Sequence, residues 1–312
     1  MLRITDDRGA VAVIVAILMV PLLGFAAISL DMAATYAEKQ QLQTGADAAA
    51  LAIAQDCGRG ACDSPLDTAQ TFATLNSNSG DAVASLASIP SVTSGRVTVT
   101  NSAVRQHWFA PVLGIDSTEI STTASAAWGA PTGGTAALPL IISLCDYNAR
   151  AINGRPSGIE QTIVTTPAGS CSNPESSHNM PGGFGWLESD SKKSCFTTTW
   201  IDTQADSEPG NTPKQCDLST IRDRTILVPL FDDADAGSTG GNGRNGWYRV
   251  YGYAAFHVTG YYFSGQEWNA PCKGKERCIR GYFTTMVHSD PDFDYGPDAP
   301  NFGASAVYLL PD

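Results

Sequence analysis

From Ala10 to Leu30 the stretch AVAVIVAILMVPLLGFAAISL runs for twenty-one residues without a charge. At about 1.5 Å per residue such a run reaches roughly 31 Å, the thickness of a hydrocarbon core. Peptide groups in lipid must be bonded within their own segment, so the pattern predicts a membrane-spanning helix over 10–30. No turn signal follows. The next residues, DMAATYAEKQQLQTGADAAALAIAQD, are rich in Ala, Leu, Gln and Glu with only Gly45 as an interior breaker, and predict that the helix continues over 31–56. Pro21 lacks an amide proton and predicts a kink in the span. The competing reading is a cleaved signal peptide, with Ala27-Ile28-Ser29 as its small-x-small site. The length of the run and the helical character beyond it favour a retained anchor.

Past the rod the periodicity changes. Ser64, Pro65 and Asp67 open SPLDTAQTFATLNSN as N-cap, first helical residue and first-turn acid, predicting a short helix near 64–78. Arg96–Arg105 alternates as a strand, Trp108, Phe109, Val112 and Leu113 form an apolar turn or helix, and a second strand runs over 117–128. These make a small α+β unit over 57–130. APTGGTAA is small and uncharged and reads as a linker over 131–137. Beyond it, strand-like runs at 138–144, 159–165, 225–231, 247–263, 279–287 and 304–310 alternate with long loops, predicting a β-rich domain over 138–312. The expected class is α+β.

Charge and cysteine change the picture next. Arg3 and Arg8 flank the span in the tail 1–9, which assigns that tail to the cytoplasm and the chain after residue 30 to the exported side. Asp6 and Asp7 cancel those two cations, so the net charge of -12 belongs to the exported part. An acidic surface argues against binding a phosphate backbone, and no nucleic-acid partner is expected. All eight cysteines lie beyond the span, which reads as a disulfide framework. Cys57 with Cys62 and Cys272 with Cys278 enclose short loops. Spacing leaves three pairings open for the other four, among which Cys145–Cys171 and Cys195–Cys216 are preferred. Long loops at 166–183 and 202–217 carry cysteines that could order them.

Candidate chemistry is sparse. GNGRNG at 241–246 matches GxGxxG but is followed by strand-like WYRVYGYAAFHV instead of a helix, so it reads as a loop. His107, His178, His257 and His288 are scattered, without GxSxG or HExxH. No cofactor and no catalytic residue is expected. Asp290, Asp292 and Asp294 are weak calcium candidates, and Asp232, Asp233 and Asp235 form a second acidic group. Neither matches the calcium-binding helix–loop–helix pattern, since Gly296 falls one place late and Ser238 stands where glycine is required. GGFGWLE and GYYF place aromatics beside glycine, as core or as a recognition surface, with core the commoner outcome.

The run RGAVAVIVAILMVPLLGFAAISLDMA, followed by QLQTGADAAALAIAQ, resembles the N-terminus of TadE/TadG-like proteins of the Flp (tight adherence) pilus-assembly system. The likeness covers residues 8–56. It rests on the span, Asp31 directly after it, Leu42-Gln43, Asp47 and the alanine run through Leu51. The resemblance implies a non-enzymatic, pseudopilin-like membrane component that meets the bilayer, other Tad/Flp membrane proteins or pilins, and further copies of itself through this helix. Ala33, Ala37, Ala48, Ala49, Ala52 and Ala54 give the rod a slim flank that suits either such a partner or the chain's own exported domain. Processed members place a glutamate at the fifth position after glycine. Here Ala10, Val11, Ala12, Val13 and Ile14 follow Gly9, which places the chain nearer the unprocessed TadG branch. The Asp-x-Ser-x-Ser loop of metal-dependent adhesion domains is missing, so that adhesion chemistry does not carry over. The alternative is a membrane-tethered surface binding protein or adhesin; an exported hydrolase has least support.

Overall fold

The computed structural model describes residues 8–78, 80–165, 170–172, 179–191, 194–208, 216–235 and 246–311. The tail 1–7, His178 and positions 241–245 of the GxGxxG stretch lie outside the described residues, as do parts of both long loops.

Helix α1 is one continuous rod, Arg8–Gly58, that passes through Pro21 without interruption. It stops for a local reason. Gly60 adopts φ +82°, its amide bonds the Cys57 carbonyl at 2.9 Å, and the Ala61 amide bonds the Asp56 carbonyl at 2.8 Å. This pair of backward bonds around a left-handed glycine closes the helix. Helix α2, Pro65–Leu75, follows, with Pro65 at its start as expected. Ser64 holds the N-cap place but makes no side-chain cap bond, so the expected cap is positional only.

Strands β1 (Val83–Leu86), β2 (Arg96–Gln106) and β3 (Ser117–Ala136) form an antiparallel meander. The alternation in β2 and β3 turns Val97, Val99 and Ala103 and then Ile120, Ala124, Ala126 and Trp128 to one face. On that face lies the second half of α1, through Leu42, Ala46, Ala49, Ala50, Ile53, Ala54 and Cys57. Alanine lets the rod sit close to the sheet. Gly45 does the same for α2: a β-carbon there would stand 3.0 Å from Asn76 Cβ and 3.1 Å from the Phe72 carbonyl. The breaker in the sequence is a contact point.

Residues 131–136, expected in a linker, belong to β3. The first part of β3 pairs with β2 on one side and with the strand Ala304–Leu310 on the other. Its second part pairs with Phe293–Gly296 and Thr197–Trp200. A strand bonded on both edges cannot act as a hinge. Glycine here makes room for neighbours, since a β-carbon on Gly133 would run into the Trp200 ring.

The larger sheet is built around the long strand Trp247–Phe263, which pairs with Thr225–Ala234 and Cys278–Thr284. Leu140–Ser143 runs parallel to Thr225–Ala234, and Gln161–Val164 closes the far side on Cys278–Thr284. Its core holds Leu140, Ile141, Ile142, Phe231, Tyr253, Phe256 and Tyr261, all buried. Phe184, Trp186 and Phe263 join it, with Trp186 and Phe263 centroids 5.0 Å apart, so the glycine-flanked aromatics are core and not a recognition surface. The expected runs all contain strands. Elements not foreseen include a one-turn helix, Leu144–Asn148, and the short strands Phe184–Trp186, Thr197–Trp200 and Phe293–Gly296. The result is a long apolar helix, a few short helices and a strand-rich body with disulfides Cys57–Cys62, Cys145–Cys171, Cys195–Cys216 and Cys272–Cys278.

Candidate functional site

Two halves of α1 meet opposite surroundings. Every residue from Val11 to Leu30 is exposed except Ala27, which is partly so. Val20, Leu22, Leu23 and Phe25 are each at least 64% exposed. A core helix of a water-soluble fold would cover such side chains; a rod bare on all sides over about 30 Å is the form of a single membrane span. From Leu42 onward the same rod is core.

Asp31 marks the change. It is buried, and its carboxylate accepts three backbone amides from the β2–β3 hairpin tip: Trp108 at 2.9 Å, Phe109 at 2.9 Å and Ala110 at 2.7 Å. These amides open the 3₁₀ turn Ala110–Leu113, whose first donors have no partner within the turn. Burial alone would raise the pKa of Asp31. The amides of Trp108, Ala110 and Phe109, with the charge of His107, outweigh it and hold the carboxyl below the usual carboxylate range. An anion at the first residue beyond the span therefore fixes a loop 77 to 79 positions away in sequence.

The other residues singled out on the helix also face the chain's own body. Leu42 is fully buried, and its carbonyl accepts Asn101 Nδ2 at 3.2 Å. Gln43 donates to Asp47 Oδ1 at 2.9 Å and to the Thr123 carbonyl at 3.3 Å. Leu51 packs half-buried on the same core. Of the alanines, Ala49 and Ala54 are buried, Ala48 and Ala52 half-buried, and only Ala33 and Ala37 exposed. Between the two readings of the alanine flank, the intramolecular one accounts for everything beyond Leu42.

The acidic clusters do not converge. Asp290 accepts the Asp292 amide at 3.0 Å in a turn, while Asp294 stands exposed on its strand. Asp232 is buried against the Arg249 guanidinium. Among the described residues no group of three or more His, Cys, Asp or Glu side chains is placed to hold a metal. His257 is bonded between Asp223 at 3.2 Å and Thr225 at 3.1 Å and stacks on Tyr282, a packed strand residue. Asp146, in the one-turn helix beside Cys145, accepts the Gly183 amide, and burial pushes its pKa up to about 6.

A cleft of about 700 Å³ opens at the far end of α1, lined among others by Arg59, Trp128, Arg155, Asn301 and Phe302. Its charged lining is Arg59, Arg155 and Asp298. Asn301 Nδ2 donates to the Gly58 carbonyl at 2.9 Å, so its rim also ties the rod's end to the body.

No curated protein and no solved structure matches the chain. Residues 9–56, the rod from the start of its apolar run to the turn before its closing glycines, match the family model described as "Putative Flp pilus-assembly TadE/G-like", so the likeness covers both the bare span and its buried continuation.

Proposed function

We propose that the protein is a single-pass, membrane-anchored structural or accessory component of Flp/Tad-type pilus assembly, pseudopilin-like, and not an enzyme. The tail before the span lies in the cytoplasm, and the disulfide-bearing body lies on the extracytoplasmic side. The observation that carries the reading is the division of α1, apolar and bare over 11–30 and built into a sheet-based body from Leu42 onward. A rod so divided cannot turn independently of its head. Contacts made by the span within the bilayer are therefore transmitted to the exported body as a rigid unit.

Assembly with other Tad/Flp membrane proteins, pilins or further copies uses the span and the short exposed collar of Met32, Ala33, Tyr36 and Ala37. Small residues at a helix surface permit close approach of a second helix in lipid. Asp31, Leu42, Gln43, Asp47 and Leu51 serve assembly indirectly, by fixing the head to the rod. The test is to replace 10–30 with an unrelated apolar helix of equal length. Membrane retention and head folding should persist while pilus assembly is lost. Normal assembly with the foreign span would contradict the proposal.

The second reading, a tethered binding protein or adhesin, is favoured by the cleft with Arg59 and Arg155. Under it, the exchanged span changes nothing, and Arg59→Ala with Arg155→Ala abolishes surface attachment.

A further inference from the structure

The β2–β3 hairpin tip carries a feature that neither the anchor nor the core uses. Its eight residues from Trp108 to Ile115, WFAPVLGI, contain no charge. Five large apolar side chains there are bare: Trp108 at 66%, Phe109 at 43%, Val112 at 90%, Leu113 at 66% and Ile115 at 52%. Water gives no reason for them to gather at a hairpin tip. Three amides of this tip are bonded to Asp31, the residue directly after the span. The turn Ala110–Leu113 thereby lies against α1. The patch is thus held beside the level at which the rod leaves the hydrocarbon, continuous with the apolar surface of residues 11–30.

We infer that this tip is a second membrane contact: a hairpin that enters the interface of the outer leaflet of the same bilayer that α1 spans. The inference rests on the anchored reading of α1 and on nothing about pilus assembly. Amphipathic aromatic rings favour the headgroup level, and aliphatic side chains seat just below it. Arg105 lies 5.1 Å from the Trp108 ring centroid, placing a cation at phosphate height above the apolar tip. Asp116 and Glu119 are exposed further along the hairpin base and stay on the water side. With two points of attachment the head cannot swivel freely about the span. Asp31 is a positioning residue in this scheme, since it orders the tip without touching lipid.

The test uses the full chain in nanodiscs whose lipids carry bromine on the upper acyl chain, with tryptophan fluorescence as the readout. The protein has six tryptophans. We expect brominated lipid to remove roughly a sixth of the emission in the wild type, and Trp108→Phe to lose that lipid-dependent part. Asp31→Asn and the pair Val112→Ser with Leu113→Ser should each reduce it with the disulfides intact. Because Val112 and Leu113 are exposed, the pair tests the tip without disturbing the core. An emission insensitive to brominated lipid, with Trp108 open to iodide, would overturn the inference. So would protection of Trp108 that depends on protein concentration and not on lipid, which would make the tip a contact between copies. If the chain fails to co-float with vesicles, the anchor itself is wrong, an outcome distinct from loss of the tip signal alone.

Discussion

Leu42→Ala separates a rod that builds its own domain from one that offers this face to a partner. Leu42 is fully buried between α1 and the β2–β3 sheet, with Val99 and Ile120 in the same core. The substitution removes three carbons, worth about 2.4 kcal/mol at ~0.8 kcal/mol per buried carbon. The cavity left behind raises the cost to about 3–5 kcal/mol, because a helix pinned on a sheet cannot collapse into the space. For a domain of this size each kcal/mol moves the midpoint by roughly 2–4 °C, so a fall of roughly 6–20 °C is expected. The assay is thermal unfolding of the detergent-solubilised full chain, followed by near-UV circular dichroism. Met32→Ala, on the same rod but 68% exposed, is the control and should move the midpoint by less than about 1–2 °C. A Leu42→Ala midpoint within 2 °C of wild type would refute the packing argument, because a side chain so enclosed cannot be removed without loss.

Other perturbations address other joints. Gly45→Val places branched carbons where a β-carbon alone is 3.0 Å from Asn76, and should cost about 1–3 kcal/mol by the same assay despite valine's better helix propensity. Arg249→Ala strips the buried Asp232 of its guanidinium and should destabilise by about 3–5 kcal/mol, read from denaturant midpoints; a neutral effect would mean that the remaining partners of Asp232 suffice. Asp146 has its folded pKa raised to about 6 from 3.8, so the folded state binds the extra proton. Its contribution is therefore favourable below pH 4 and is lost as pH rises through 6. Asp146→Asn should raise stability at pH 7.5 by up to roughly 2–3 kcal/mol and leave it nearly unchanged at pH 4. Equal effects at both pH values would contradict the burial argument.

The parts legible in the sequence are those fixed by local periodicity. The uncharged run to Leu30 and the alternation in 96–106 and 117–128 need no knowledge of the rest of the chain. What could not be read depends on distant partners. The small residues of 131–136 look flexible in isolation, yet Gly133 is small because Trp200 lies over it. The alanine flank of α1 suits a partner helix and a β-sheet equally, and only the placement of β2 and β3 decides for the sheet. Asp31 stands out in the sequence as a charge after the span. Its role needs the amides of Trp108, Phe109 and Ala110, brought near by the hairpin, and their apolar side chains were the available sign that the turn has an exposed use.

The central claim is that one helix serves as membrane anchor and as core of an oxidised exported body. Intact-mass spectrometry of the protein extracted from membranes, before and after reduction, tests it most directly. The protein should retain residues 10–30 and gain about 8 Da on reduction, two hydrogens for each of four disulfides. A soluble species beginning near residue 30, or a mass unchanged by reduction, would contradict it.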